Sequence, residues 1–351
     1  MDTNTQPSFA EHEEHLRLER LSARNKLAAL DKVVNWENFR PTLNKALRKT
    51  EPKGPGGRPA FDPVMKFKLL VLQSLYNLSD GELEFQVEDR ATFRAFAGLG
   101  ADDVVPDEKT IWEFRNRLVE ANVMKKLFDR FESILSEKNL YVNDGRIVDA
   151  EIVEVPRRRV KPDTEEHKDS EPEENAKEHR RRENRKRQVD TDAQYTKKHN
   201  KTYFGYKNTV KIDNGSKLIL DYATCSANRH DSAVFDEVMN EEQDADQDVF
   251  ADKGYAGQGC LTTVIRKAGV GKSRILNKAY RDKPITDEQK AENKQWAKIR
   301  ARVEHVFAHK KYVMNQRLIR SIGIERADFQ IGLSNLVYNM QRLVFLERAR
   351  G

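Results

Sequence analysis

Cysteine is scarce in this 351-residue chain: Cys225 and Cys260 are the only two. Far apart in the chain, they make neither a disulfide framework nor a zinc knuckle, and both read as reduced structural thiols of a cytosolic protein. No apolar run is long enough to span a bilayer, and the opening Met1-Asp-Thr-Asn-Thr-Gln reads as no signal peptide. Aromatic residues are few, at 8%, and hydrophobic residues make 38% against 34% charged, which describes a globular protein with solvated charged segments. Neither sign of charge dominates. Lys and Arg number 63 against 57 Asp and Glu, for a net charge of +6 and a pI near 9.0. That balance suits a nucleic-acid partner only where the basic residues cluster. The length predicts one large or two modest domains.

Helical patterning rules the first part of the chain. Residues 9–33 carry a thin apolar seam through Leu16, Leu21, Leu27, Leu30 and Val33, an arm able to pair with a second chain. Residues 1–50 are therefore expected to be a helical arm with a dimerisation role. The run Pro52-Lys-Gly-Pro-Gly-Gly-Arg58-Pro59 fits neither helix nor strand and reads as a hinge, with Arg58 placed either on a phosphate backbone or in a plain linker. Asp62-Pro63 opens a helix with cap and proline in their favoured places, and Ser79-Asp-Gly-Glu82 has the form of a capping box. A short helix, a turn at Pro106-Asp107 and a helix beginning Lys109-Thr110 and bearing Arg115 and Arg117 then match a helix-turn-helix. Any small helical bundle reads similarly, so residues 51–140 are expected to be a helical, DNA-binding domain with that alternative open.

From Tyr141 the period changes to that of strands. Arg146–Val155 reads as a well-buried strand, in which Asp149 is costly unless paired or bound to metal. Tyr203–Ile212 and Leu218–Ser226 form a hairpin about Asp213-Asn-Gly215; Gln247–Asp252 is a fourth strand and Arg274–Leu276 a fifth. Between them, residues 157–200 are a charged insertion without enough apolar surface to fold alone, whose basic run from Arg180, Arg181 and Arg182 is a candidate to order on DNA. Helices fill 286–348. The fold class expected is α/β, a mixed sheet flanked by helices, over residues 141–351.

The chemistry concentrates on three carboxylates. Asp149 lies in the first strand, Asp252 ends the fourth, and Glu304 sits on a helix read over 297–311. On that helix Arg300, Glu304 and Lys311 fall within about 40° of one face, beside an apolar stripe of Trp296, Ile299, Val303, Val306 and Phe307. Alone, Arg300–Glu304 is a surface pair worth about 0.3 kcal/mol. With two upstream aspartates, the set becomes one that two hard divalent cations would use for in-line phosphoryl transfer. Other motifs carry less. Gly269-Val-Gly-Lys-Ser273 has Arg266 where a phosphate loop needs its first glycine. His305 and His309 lack a third ligand for zinc, and His230-Asp231 reads as a helix cap.

Those residues carry a resemblance. Arg300, Glu304 and Lys311 match in spacing and identity the R-x3-E-x6-K signature of DDE transposases of the insertion-sequence-five type, from bacterial and archaeal insertion sequences. Gly145-Arg-Ile-Val-Asp149-Ala and Ala251-Asp252-Lys-Gly-Tyr255 resemble the motifs around that family's two aspartates, and Gly57–Pro63, Leu78-Ser-Asp80 and Pro106–Thr110 its N-terminal helical domain. The resemblance runs from Gly57 through most of the chain. It implies an RNase H-like catalytic domain, with Asp149, Asp252 and Glu304 as catalytic ligands of two Mg²⁺ or Mn²⁺. It implies DNA contacts by Arg300 and Lys311, joined by Lys253 and Tyr255 beside the second aspartate. The partners implied are double-stranded DNA, as terminal inverted repeats and target, and further copies of the chain in a dimer or larger assembly, in the cytoplasm at the nucleoid and away from membrane. Two positions depart from the family pattern: Ala297 stands where a tyrosine is usual, and Glu151 where a small or hydroxylated residue is expected. Two competing functions fit the same residues, a non-catalytic DNA-binding repressor or scaffold and a structure-selective nuclease.

Overall fold

The computed structural model describes residues 16, 17, 20, 25–48, 60–157, 180, 181, 184, 188–198, 200–281 and 284–350. Arg58, Arg182 and most of the charged insertion lie outside them. The helical part comprises α1 (Lys26–Val33), α2 (Arg40–Leu47), α3 (Pro63–Tyr76), α4 (Asp80–Asp89), α5 (Ala91–Ala97), α6 (Glu108–Glu120) and α7 (Met124–Glu137). Their starts are local chemistry: Asn25, Asp62, Ser79 and Asp107 each accept a backbone N–H of the first turn. Leu27, Leu30 and Leu43 of the expected arm are buried, and Phe39 packs its ring 5.0 Å from Phe67 of α3. The described seam is thus covered by the chain's own helices at Leu27 and Leu30, while Leu16 stays exposed.

The sheet is built on β1 (Arg146–Glu154), which pairs antiparallel with β3 (Lys201–Asp213) and parallel with β5 (Val249–Ala251). β4 (Ile219–Ser226) extends it beyond β3, and β6 (Ser273–Ile275) beyond β5. One strand was absent from the sequence reading. β2 (Gln194–Lys198), inside the span expected to stay unfolded, pairs with the Lys201–Gly205 half of β3. Tyr195 packs its ring 4.7 Å from that of Phe204 across that ladder, a tilted aromatic pair that stabilises the strand where aliphatic residues are missing.

β1 is buried on both faces because Ile147 and Val148 point into different cores. Ile147 joins a large core with Val210, Ile212, Tyr222 and the helical part; Val148 joins a smaller one with Val249, Ala251, Phe235 and Val264. The last helix, α13 (Ile324–Arg350), is the wall between helices and sheet. Every residue from Ile331 to Met340 is buried, as befits a helix covered all round. Its Asn339 side chain accepts the Ile219 N–H at 2.8 Å and donates to the Ile219 carbonyl at 2.7 Å, fastening the start of β4.

The single helix expected over 297–311 is broken. α11 (Asp287–Arg300) ends at Ala301, α12 (Arg302–Ala308) follows, and a π-helical turn (His309–Val313) completes the segment. The break has a physical purpose: it presents Arg300 to β1 at one end and Lys310 to β1 at the other. α10 (Gln258–Lys267) covers the opposite face, after two one-turn helices, α8 (Phe235–Val238) and α9 (Glu241–Asp244).

Close approach of α13 to β4 and α7 depends on Gly332, where a Cβ would overlap the Tyr222 hydroxyl and fall 2.6 Å from Met124 Cγ. Gly332→Ala is expected to lower stability by about 1–3 kcal/mol through overpacking. Urea unfolding checks this; an unchanged midpoint would mean that the helix can stand off the sheet at no cost.

Candidate active site

The two aspartates are brought together by strand register. Val148 on β1 and Ala251 on β5 are direct partners in a parallel pair, so Asp149 and Asp252, each one residue further on, lie side by side at the carboxyl end of β5. Carboxyl ends of parallel strands are where α/β sheets leave an open crevice. Asp149 keeps 18% of its side chain exposed and accepts the Ala150 N–H at 2.8 Å. Asp252 caps the short 3₁₀ turn Lys253–Tyr255 by accepting the Lys253 N–H at 2.8 Å.

Glu304 joins them through Arg300. The guanidinium donates from Nη1 to Asp149 Oδ2 at 2.7 Å and from Nη2 to Glu304 Oε1 at 3.4 Å. One cation thus serves two of the three carboxylates. Glu304 remains 64% exposed, so its carboxylate is available to a ligand in the crevice. Among the described residues no three His, Cys, Asp or Glu side chains converge tightly enough to form a ready cation cage. The donor chemistry nonetheless fits a hard divalent ion: Asp149 and Asp252 offer adjacent oxygen donors, and Glu304 shares their counter-cation.

Lys311, expected on the Arg300–Glu304 arc, is turned by the π-helical segment so that its ammonium lies 3.8 Å from Glu151 Oε2, with 38% of the side chain exposed. Its neighbour Lys310 is the buried one. Lys310 Nζ donates to Glu151 Oε1 at 2.6 Å and to Asn335 Oδ1 at 2.7 Å, and Asn208 Nδ2 donates to Glu151 Oε1 at 3.1 Å. Glu151, which stands where a small or hydroxylated residue is expected, is a buried acid paired with Lys310. A sequence signal for Lys310 existed. It takes the next place in the stripe Val303, Val306, Phe307, at the i+7 position where an apolar residue belongs.

Burial pushes the Asp149 carboxyl above the ordinary aspartate range. Arg300, the Ala150 N–H and Lys198 pull it back, and the Asp252 charge adds to the rise. Lys198, on the unforeseen β2, is therefore a cation within electrostatic reach of the site. Burial also drives the Lys310 ammonium down, opposed by Glu151.

The expected DNA-contacting residues divide. Lys109, Arg117, Lys253, Arg180 and Arg181 are exposed, and Thr110 is half-buried with its N–H on the Asp107 cap. Arg115 instead forks onto Asp80 at 2.6 and 2.7 Å and reaches Gln73 at 3.0 Å, an ion pair that binds α6 to the α3–α4 corner. Tyr255 is 1% exposed, with its ring 5.4 Å from Phe235, and is closed to any DNA contact. Both were expected on DNA because charge and aromaticity were visible in the sequence while their partners were not. Trp296 beside Ala297 is half-buried, with Arg274 over its ring at 6.0 Å. His230, read as a cap, does accept the Ser232 N–H, over a 3₁₀ turn rather than a long helix.

Residues 141–340 match the family model described as Transposase DDE domain, and residues 16–117 that described as Transposase domain (DUF772). No solved structure matches the chain.

Asp149 should oppose folding at neutral pH. Its folded pKa lies above the ordinary 3.8, so its stabilising contribution is complete below that value and is lost as pH rises through the folded one. Asp149→Asn is therefore expected to be at least as stable as the parent at pH 7, the advantage shrinking toward pH 4. Thermal unfolding across that range checks it, and a variant less stable at pH 7 would mean that Arg300 outweighs burial.

Proposed function

The chain belongs to the Transposase DDE domain family, whose catalytic fold is RNase H-like, and we propose that it binds the ends of an insertion sequence and catalyses their cleavage and strand transfer. The observation that carries this reading is the parallel register of Val148 with Ala251, which sets Asp149 and Asp252 next to each other, with Glu304 joined to Asp149 through Arg300. Asp149, Asp252 and Glu304 would hold one or two Mg²⁺ or Mn²⁺. Bound there, such ions supply charge stabilisation and a more acidic attacking hydroxyl.

The chain's own residues do the rest. The half-buried Asp149 and the exposed Glu304 face the crevice with a guanidinium between them. A phosphodiester entering it meets Arg300, whose planar fork suits two phosphate oxygens. Lys311 adds a second cation a short way along the segment. In cleavage a water oxygen forms the new P–O bond as the bond to the 3′ oxygen breaks, and the proton lost by water balances the one gained by the 3′-hydroxyl. In transfer that hydroxyl attacks a target phosphodiester in the same way. Lys109, Thr110 and Arg117 of α6, Arg180 and Arg181, and Lys253 offer phosphate contacts around this centre. Two ends require two catalytic centres, which favours a homodimer or larger assembly on DNA. Among the described residues no helix is long and apolar enough to cross a membrane.

A second reading, a DNA-binding repressor or scaffold without catalysis, draws on the absence of a tight three-acid cluster among the described residues. A labelled duplex of the element's end with Mg²⁺ separates the two. The parent is expected to nick the end and join it to a second duplex. Asp149→Asn, Asp252→Asn and Glu304→Gln are each expected to slow cleavage by about 10³-fold, the scale of losing one electrostatic stabiliser, with end binding retained. Wild-type cleavage by all three variants would refute the assignment, binding without cleavage by the parent would favour the repressor, and cutting without joining would indicate a nuclease.

A further inference from the structure

Glu151 and Lys310 present an unusual economy. Each is 4% exposed, one is an acid and the other a base, and they meet at 2.6 Å inside a core that apolar side chains of similar size would fill. A buried pair of this kind is weak evidence for stability, because desolvating two ions offsets most of their attraction. What such a pair does secure is register. An apolar contact tolerates sliding and rotation, whereas a buried ammonium must meet its acceptors at fixed distances.

The register held here is that of the catalytic acids. Glu151 lies two residues beyond Asp149 on the same face of β1, and Lys310 follows Glu304 within two helical turns. Asn335 of α13 and Asn208 of β3 close the set. Lys310 donates to Asn335 Oδ1 at 2.7 Å, the two amides exchange bonds at 3.1 Å, and Asn208 also donates to Glu151. Four elements thus meet in one hydrogen-bonded cluster. The π-helical turn lies at the same spot, and Glu151 Oε2 faces Lys311 at 3.8 Å. We propose that Glu151 and Lys310, held by Asn208 and Asn335, are positioning residues that set where Glu304 and Lys311 stand relative to Asp149. The proposal rests on the reading of those acids as the cation-holding centre.

The test uses the full-length chain and Mn²⁺ as probe, read by electron paramagnetic resonance without DNA, beside cleavage of the end duplex. The paired variant Glu151→Met with Lys310→Met keeps the volume and removes both charges. It is expected to melt no lower than the parent and to bind the end duplex as the parent does. Its Mn²⁺ affinity and cleavage rate are both expected to fall by about 10–100-fold, the range for outer-shell partners of metal ligands. Parent-like Mn²⁺ affinity and cleavage in the folded variant would overturn the proposal and leave the pair a packing device. Should that variant fail to fold, Asn335→Leu removes one acceptor of Lys310 together with the amide exchange with Asn208 and leaves Glu151 and Lys310 paired, and unchanged Mn²⁺ affinity there would overturn it equally. A parent that binds Mn²⁺ but does not cut would sink the catalytic reading alone, with the Mn²⁺ comparison still deciding this one. A parent that binds no Mn²⁺ would sink both.

Discussion

A single buried ion pair, Glu151 with Lys310, is the constraint on which the geometry of this centre hangs. Each charge would be expensive in the core alone, and each is tolerated because the other meets it and one asparagine amide bonds it in addition, Asn335 for Lys310 and Asn208 for Glu151. Satisfying the pair brings a strand, a π-helical turn, the neighbouring strand and the last helix to one point. The break at Ala301 belongs to the same arrangement. A straight helix through 297–311 would follow one periodicity, whereas the observed segment sends both Arg300 and Lys310 toward β1.

A second buried network lies at the start of β1. Arg146 donates to Asp213 at 2.9 Å and to Asp244 at 3.3 Å, and Lys211 reaches Asp244 at 2.9 Å, all at 4% exposure or less. Asp213 also accepts the N–H groups of Val142, Asn143 and Ser216, so its charge is matched by donors from the loops on either side. The strand carrying Asp149 is therefore pinned by charge at one end and through Glu151 further along. Asp149 between them has the poorer environment: burial raises its pKa, and its cation is shared with Glu304. A carboxylate left under-satisfied between two rigid anchors is suited to gain from an incoming cation.

The helical part and the sheet are joined by α13, whose buried residues contribute to one apolar core with Leu27, Phe67 and Phe131 on one side and Ile147 and Tyr222 on the other. The exposed basic residues of α6 are therefore carried on the same packed body as the acids. Arg115, which pairs with Asp80, works for that rigidity and not for DNA.

What the amino-acid order determined by itself was whatever depends on near neighbours. Caps at Asp62, Ser79 and Asp107 start their helices because the acceptor is within three residues of the N–H it binds. The hairpin of β3 and β4 and the buried run of β1 follow from turn chemistry and apolar density, and Asp149, Asp252 and Glu304 stood out by their place in that pattern. Tertiary structure alone decided the pairings between distant residues: Glu151 with Lys310, Asp149 with Arg300, Arg115 with Asp80, and Tyr255 with Phe235. It also decided β2, whose ladder and aromatic partner come from β3. Periodicity tells which face of an element is apolar, but a charged or aromatic side chain looks the same in sequence whether it meets solvent, DNA or a partner a hundred residues away. Only the packed chain supplies that partner.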